Sequence, residues 1–476
     1  MLTRRAVRIN SRQARELLWR LGRSAVVWYW LLNFLRLTSG LILLPLIVGR
    51  FATADLGMHF VLMSLSALVP LVDFGFGPTI GRFVSYAMGG ARSLQTYGLP
   101  LAERLDGPNF ALLWELLMSA RRLYRILVVV LLVILGAWGT YLVEMRIHET
   151  TSAVMVRLAW LATLAAALLD IYSNWWVVYL RGLNEVLVAA RISAFAMGLR
   201  LVIAAVLLLA GCGLLSLPVG SFFGSFLQRS LARRRCLSFL AGSPTPATHE
   251  FLGTLRVLWP GTWRTGLIFV GGYLTVNANT AICLKVFGLA ANAQYGLSAQ
   301  LLAIITGLAG VWTSVKWPII GQLHARYELE KVVKILRPRI WLQFVSFLAA
   351  AVGMLLFCPA LLNHFGGGKN LLPLGWLSLM ALGAFLDMQL ALWTTLIYIG
   401  NRLPFLWPVV GSNILSPIFS LLLIHFTSLG VAALVLGPLC AGVLFNYWYW
   451  PLYACRQIGT GLLGFLFVSE PRRRAA

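Results

Sequence analysis

The stretch Ile126-Leu127-Val128-Val129-Val130-Leu131-Leu132-Val133-Ile134-Leu135-Gly136-Ala137-Trp138-Gly139 continues to Val143 without a charge, between Arg125 and Glu144. As a helix rising ~1.5 Å per residue, such a run matches a hydrocarbon core ~30 Å thick. The rest of the chain has the same character, with 59% apolar and 11% charged residues among 476. A soluble chain of this length lacks the polar surface to cover itself at that composition. Lipid removes the need for such a surface and imposes helices, because each backbone N–H and C=O must be bonded within its own segment.

Comparable runs fall near 27–49, 58–80, 126–145, 154–180, 192–211, 213–229, 258–283, 294–318, 341–362, 374–399, 403–426 and 429–454. Twelve spans put both ends of the chain on one side. About thirty of the 39 Lys and Arg then lie on that side, including Arg121, Arg122, Arg233, Arg234, Arg235, Lys331 and Arg339. The opposite loops keep only Arg50, Arg146, Lys285 and Lys369. This bias predicts cytoplasmic N- and C-termini in a bacterial inner membrane. The formal charge of +24 is thereby read as topology and not as a nucleic-acid surface, since no recognition motif accompanies it. Seven arginines from Arg4 to Arg23 precede the first span, and Leu44-Pro45-Leu46 offers no cleavage site, so that span is expected to stay as a start-transfer helix. The six cysteines show neither disulfide nor metal-ligand spacing.

The expected organisation is a basic segment 1–26, a first lobe 27–229, a linker 230–257, a second lobe 258–454 and a basic tail 455–476. Residues Asn109 to Arg125, with Leu, Trp and Met on one side and Arg on the other, are expected to form an amphipathic helix lying on the membrane surface.

The two lobes look duplicated. Gly49-Arg50-Phe51-Ala52-Thr53-Ala54-Asp55-Leu56-Gly57 is echoed by Gly288-Leu289-Ala290-Ala291-Asn292-Ala293-Gln294-Tyr295-Gly296, and Pro78-Thr79-Ile80-Gly81 by Pro318-Ile319-Ile320-Gly321. The offset is half the chain. It predicts two six-helix bundles in parallel repeat, related by an axis along the membrane normal.

Asp55-Leu56-Gly57 followed by Leu71-Val72-Asp73-Phe74-Gly75-Phe76-Gly77 resembles the start of the O-antigen and exopolysaccharide flippases. Leu258-Trp259-Pro260, Asn279 and Ala293-Gln294-Tyr295-Gly296-Leu297 in the second half are similar to the same proteins. These belong to the multidrug/oligosaccharidyl-lipid/polysaccharide exporter superfamily. The resemblance implies a V-shaped pair of lobes around a central cavity, lined by helices 1, 2, 7 and 8. It also implies an undecaprenyl-diphosphate-linked oligosaccharide as substrate. Expected partners are that lipid-linked glycan, membrane lipids, and a polysaccharide polymerase with its chain-length regulator. No cofactor is expected.

A charge within a span costs at least ~2.5–3.5 kcal/mol on insertion scales, so each needs a reason. The bases in the spans are Arg36, Arg157, Arg200, Arg264 and Lys316, and the acids are Asp73, Asp170 and Asp387. Arg36 shares a helix face with Tyr29, Asn33 and Gly40, and Lys316 continues a stripe of Thr306, Ala309 and Thr313. Arg36, Asn33, Arg264 and Lys316 are therefore candidates for binding an anionic head group. The other reading of Arg36 is an ion pair with Asp73, at comparable depth on the next helix. Asp170 and Arg200 are expected to form a structural ion pair, and Arg157 to snorkel to the outer face. Asp73 and Asp387 are candidates for ion coupling. Asp387 lies mid-helix with no base near it in sequence.

Nucleotide and metal motifs are missing, and Gly366-Gly367-Gly368-Lys369 lacks the strand and the Ser/Thr of a phosphate loop. The leading expectation is a flippase carrying its glycan from the inner to the outer leaflet. The alternatives are an ion-coupled drug or metabolite antiporter of the same superfamily, or a membrane glycan ligase or glycosyltransferase. The last would call for a large outside loop or an acidic catalytic pair, and the sequence has neither.

Overall fold

The computed structural model describes residues 25–93, 107–244, 251–273, 277–314, 316–317, 320, 329–365, 369–399, 404–459 and 461–467. These residues are almost wholly helical and contain no strand. Helix α1 is Ala25–Arg50 and α2 comprises three segments, Thr53–Ser66, Leu68–Asp73 and Phe76–Met88. Helix α3 is Phe110–Ile134, extended through a π-turn to Glu144, and α4, α5 and α6 are Ala153–Gly182, Val186–Leu209 and Ser216–Leu240. Helix α7 starts as Phe251–Tyr273. The run Asn279–Ser314 is divided at Gly288 (φ 81°, ψ −175°), so 279–287 completes α7 and 289–314 forms α8. Leu329–Phe365, Leu374–Ile399 and Leu406–Phe426 are α9, α10 and α11. Helix α12 is Ala433–Val443 and Asn446–Gln457, and a short α13 covers Leu462–Phe467.

Nine stretches among the described residues are long and apolar enough to cross a membrane by themselves. Many of their large apolar side chains point outward, for example Val133, Val202, Val206, Leu348 and Phe357, as helices solvated by lipid require. Tight turns such as 51–52, 145–152 and Gly288 gather at one end of the bundles, here the hairpin end. Arg82, Arg121, Arg122, Arg233, Arg234 and Arg235 stand towards the other, here the basic end.

The repeat is visible in how helices pair. In the first bundle α1 packs on α5, α2 on α4, and α6 on both α4 and α5. The second bundle repeats this with α7 on α11, α8 on α10, and α12 on both α10 and α11. Close approach depends on small residues. A Cβ at Gly220 of α6 would stand 2.6 Å from the Arg200 carbonyl of α5, and one at Gly224 would stand 2.9 Å from that of Ala196.

The larger buried core runs through the first bundle and across the hairpin end into the second, taking in Leu56, Leu289, Ala293 and Leu434. A separate core of Val332, Leu336, Ile340, Trp393 and Trp450 fills the basic end of the second bundle alone. The bundles thus share a core at the hairpin end and, through Phe251 and Leu258 of α7, at the basic end too, where the second bundle also has a core of its own.

Two expectations need correcting. The second span is not one helix, because Phe74 (φ 48°) and Gly75 (φ 80°) take left-handed backbone and break it. Residues Asn109 to Arg125 do not form a separate surface helix. Asn109 caps Leu112 N at 3.1 Å, and the helix it starts continues into α3. Its apolar face of Leu112, Leu113, Leu116, Leu117 and Leu123 is buried in the first bundle, which accounts for the amphipathic pattern. Several helices also overrun the expected spans, α6 reaching Leu240, since hydropathy marks only the part in hydrocarbon.

Candidate functional site

The seam between the bundles runs along α2. At the hairpin end, Asn292 Nδ2 of α8 donates to the Gly57 carbonyl at 3.0 Å. A Cβ on Gly57 would stand 2.2 Å from the Leu289 carbonyl, and one on Gly296 would stand 2.4 Å from the Phe60 ring. The two glycines that recur in register through the duplication therefore lie on opposite sides of one helix crossing. Midway, Ser64 Oγ donates to the Asn277 carbonyl at 3.3 Å.

Towards the basic end the break in α2 supplies the contacts. Phe74 stacks on Trp259 of α7 (6.1 Å, 21°), and a Cβ on Gly266 would stand 2.5 Å from the Phe74 ring. A non-glycine residue in left-handed backbone costs ~1–3 kcal/mol, which the burial of this ring against α7 helps offset. The break also explains Asp73. Its carboxylate accepts from the Tyr124 hydroxyl of α3 and, at 3.2 Å, from Gly77 N in the first turn of the next segment. An anion is favoured at such a helix start.

Two arginines flank this part of the seam. Arg82 of α2 is exposed, with Nη2 2.8 Å from where a Gly261 Cβ would stand on α7. Arg264, one turn further on α7 (~5–6 Å between such positions), is exposed and lies over the Trp263 ring at 5.6 Å. Each bundle thus contributes one guanidinium. Arg82 was missed in the sequence because it lies beyond the apolar run, where a basic residue reads as loop charge. Lys316 lies just past α8, partly exposed, with its N–H bonded to the Thr313 carbonyl at 3.0 Å. The side chains of Arg36 and Asn33 on α1 lie outside the described residues.

A cavity of about 440 Å³ opens within the first bundle between α1, α2, α4, α5 and α6, and Gln300 of α8 adds to its wall. Its polar lining includes His59, Thr163, Asp170, Arg200 and Ser221. Asp170 and Arg200 both line this cavity, but not as the ion pair expected of them. No contact within 4 Å joins their charges among the described residues, and Asp170 accepts instead from Ser225 Oγ of α6 at 2.9 Å. Neighbouring depth on adjacent helices did not decide the partner, because α6 packs directly on α4 and brings Ser225 to Asp170. Arg157 is paired, with Nε and Nη2 at 2.8 and 2.9 Å from the two Glu144 oxygens.

The second bundle has a counterpart to the Asp170 contact. Asp387 of α10 accepts from the Tyr447 hydroxyl of α12 at 2.8 Å. In each bundle an acid on the fourth helix is held by a hydroxyl on the sixth. The acids are offset by 217 residues and the hydroxyls by 222, against 239 at the first hairpin, so the helices correspond while the residue register does not. The side chain of Tyr447 has room to fold back because α12 is interrupted at Leu444–Phe445 and Gly442 has no side chain.

No protein-family profile and no curated protein matches the chain. Solved structures do. The inward-facing conformation of a multidrug resistance MATE family transporter of the MOP superfamily superposes with a TM-score of 0.64 at 14% identity, covering 90% of this chain and 94% of that one. A mutant of the Vibrio cholerae MATE transporter VcmN gives 0.58 at 15% identity, covering 92% and 97%. The outward-facing conformation of a multidrug resistance MATE family transporter gives 0.50 at 15% identity, covering 92% and 97%. The chain is a multi-pass membrane protein with the two-bundle fold of these transporters.

Proposed function

We propose that this protein is a flippase for undecaprenyl-diphosphate-linked oligosaccharide, serving surface-polysaccharide assembly in a bacterial cytoplasmic membrane, with both termini cytoplasmic. The observation that carries the reading is the pair Arg82 and Arg264, one from each bundle, exposed at the basic end of the seam. Guanidinium groups offer forked donors that match diphosphate oxygens, and two on separate bodies can grip an anion that a single bundle would hold weakly. Asn33, Arg36 and Lys316 remain proposed contributors to the same anion path.

A second reading, an ion-coupled drug or metabolite antiporter, is favoured by the repeated acid–hydroxyl contacts Asp170–Ser225 and Asp387–Tyr447. Asp387 is exposed in mid-helix, and a carboxylate there is tolerated only facing water or protein. Coupling through it is compatible with either substrate. The deciding experiment is a clean deletion in a host without a redundant flippase. Lipid-linked oligosaccharide accumulating in the inner leaflet supports the flippase. Normal surface polysaccharide with lost drug efflux supports the antiporter.

A further inference from the structure

The turn between α3 and α4 carries two charged side chains that reach across to the other bundle. Arg146 and Glu149 are paired at 2.9 Å. Arg146 Nη2 also donates to the Lys285 carbonyl at 3.1 Å, and Glu149 Oε2 accepts from Leu289 N at 2.9 Å. Lys285 and Leu289 stand on either side of the Gly288 turn. The cation therefore sits on the carbonyl end of α7 and the anion on the N–H end of α8, each opposite the partial charge of that helix terminus. Gly288 makes room, since a Cβ there would stand 3.2 Å from a Glu149 oxygen and its φ of +81° disfavours any side chain. On its own side the turn is anchored to α2, where Asp55 accepts from Thr151 N at 3.2 Å and Thr151 Oγ1 at 2.6 Å.

We infer that Arg146 and Glu149 form a latch that holds the hairpin end closed, and that the latch must release before the bundles part there. The inference rests on the transporter reading and on the hairpin end facing outward. Among the described residues, the other cross-seam contacts at this end are buried packing and the Asn292–Gly57 bond. The Arg146–Glu149 pair is partly solvated, at 29% and 27% side-chain exposure, so it can exchange its protein partners for water one at a time. It also comes preassembled from one short turn, so closing requires little new ordering. Such a device sets the balance between inward- and outward-open states without touching substrate.

The test uses the full-length protein in lipid nanodiscs, with spin labels at positions 154 and 286. These are exposed positions on α4 and α7 near the hairpin end. The distance between them is measured without substrate in the parent and in Glu149→Gln, Glu149→Lys and Arg146→Ala. Glu149→Gln keeps the size and an acceptor, so it remains readable if the other variants fold poorly. The expected result is a graded gain of a longer-distance population, with the long-to-short ratio rising roughly 5- to 30-fold from the Gln to the Lys variant. An unmoved distance distribution overturns the latch, whether or not thermal stability falls. Either outcome is independent of which substrate is carried.

Discussion

Asn292 of the second bundle donates its side-chain amide to the backbone carbonyl of Gly57 in the first, at 3.0 Å, where neither residue is open to solvent. A polar group in such a place has no water to fall back on. The bond therefore fixes the register of α2 against α8 as well as joining them. Asn292→Ala should cost ~0.5–1.5 kcal/mol, the net worth of one hydrogen bond, since the Gly57 carbonyl keeps its backbone partner within α2. Gly57→Val should cost ~1–3 kcal/mol by driving a side chain into the Leu289 carbonyl. Both should lower the apparent melting temperature of the purified protein in lipid. Unchanged melting in both variants would remove this crossing from the closed state.

Asp73 belongs to the fold of α2. Removing it strands the buried Tyr124 hydroxyl and uncaps the segment that begins at Phe76. Asp73→Ala is expected to reduce membrane abundance and to lose ~1.5–3 kcal/mol, the scale of a charge-assisted hydrogen bond. Tyr124→Phe should lose less. Full abundance and melting temperature in Asp73→Ala, with transport abolished, would return Asp73 to the ion-coupling role.

Asp387 is predicted to behave in the opposite way. Asp387→Asn keeps an acceptor for Tyr447 and removes only the charge, so abundance should stay at the parent level. Transport driven by an imposed cation gradient should fall to background in reconstituted vesicles, while downhill exchange of substrate persists. If gradient-driven transport is undiminished, coupling does not run through this residue. Asp170→Asn, tested alongside, shows whether the matching contact in the first bundle shares the task.

The class of the protein and its pairing of bundles were legible in the sequence, because lipid allows few solutions. Apolar runs must be helices, and Gly57 and Gly296 announced the repeated crossing. Partners were far less legible. Hydropathy says that Asp73 and Asp170 lie within spans, but Tyr124 and Ser225 reach them from helices whose rotation no single stripe fixes. The break at Phe74 escaped notice because only Gly75 in that run signals left-handed backbone, and phenylalanine ordinarily refuses it. Arg82 was hidden by the rule that served topology best, since a base at the end of a span reads as loop charge.

The sidedness rests on the Lys/Arg bias alone and is directly testable. Reporter fusions after Gly288 and after Ala476 should report the outer and the cytoplasmic side respectively. The same side for both would contradict the twelve-helix arrangement.

The central claim is that the seam between the bundles carries a diphosphate-linked glycan, gripped by Arg82 and Arg264. The most direct measurement reconstitutes the purified protein in liposomes with undecaprenyl-diphosphate-linked oligosaccharide. It follows, over time, how much glycan a glycosidase confined to one side can reach. The account predicts protein-dependent transfer between leaflets, reduced at least about tenfold in Arg82→Ala/Arg264→Ala, a loss of ~1.4 kcal/mol or more in binding the anion. No transfer of the glycan by well-folded protein, with proton-driven exchange of a cationic dye in the same vesicles, would contradict it.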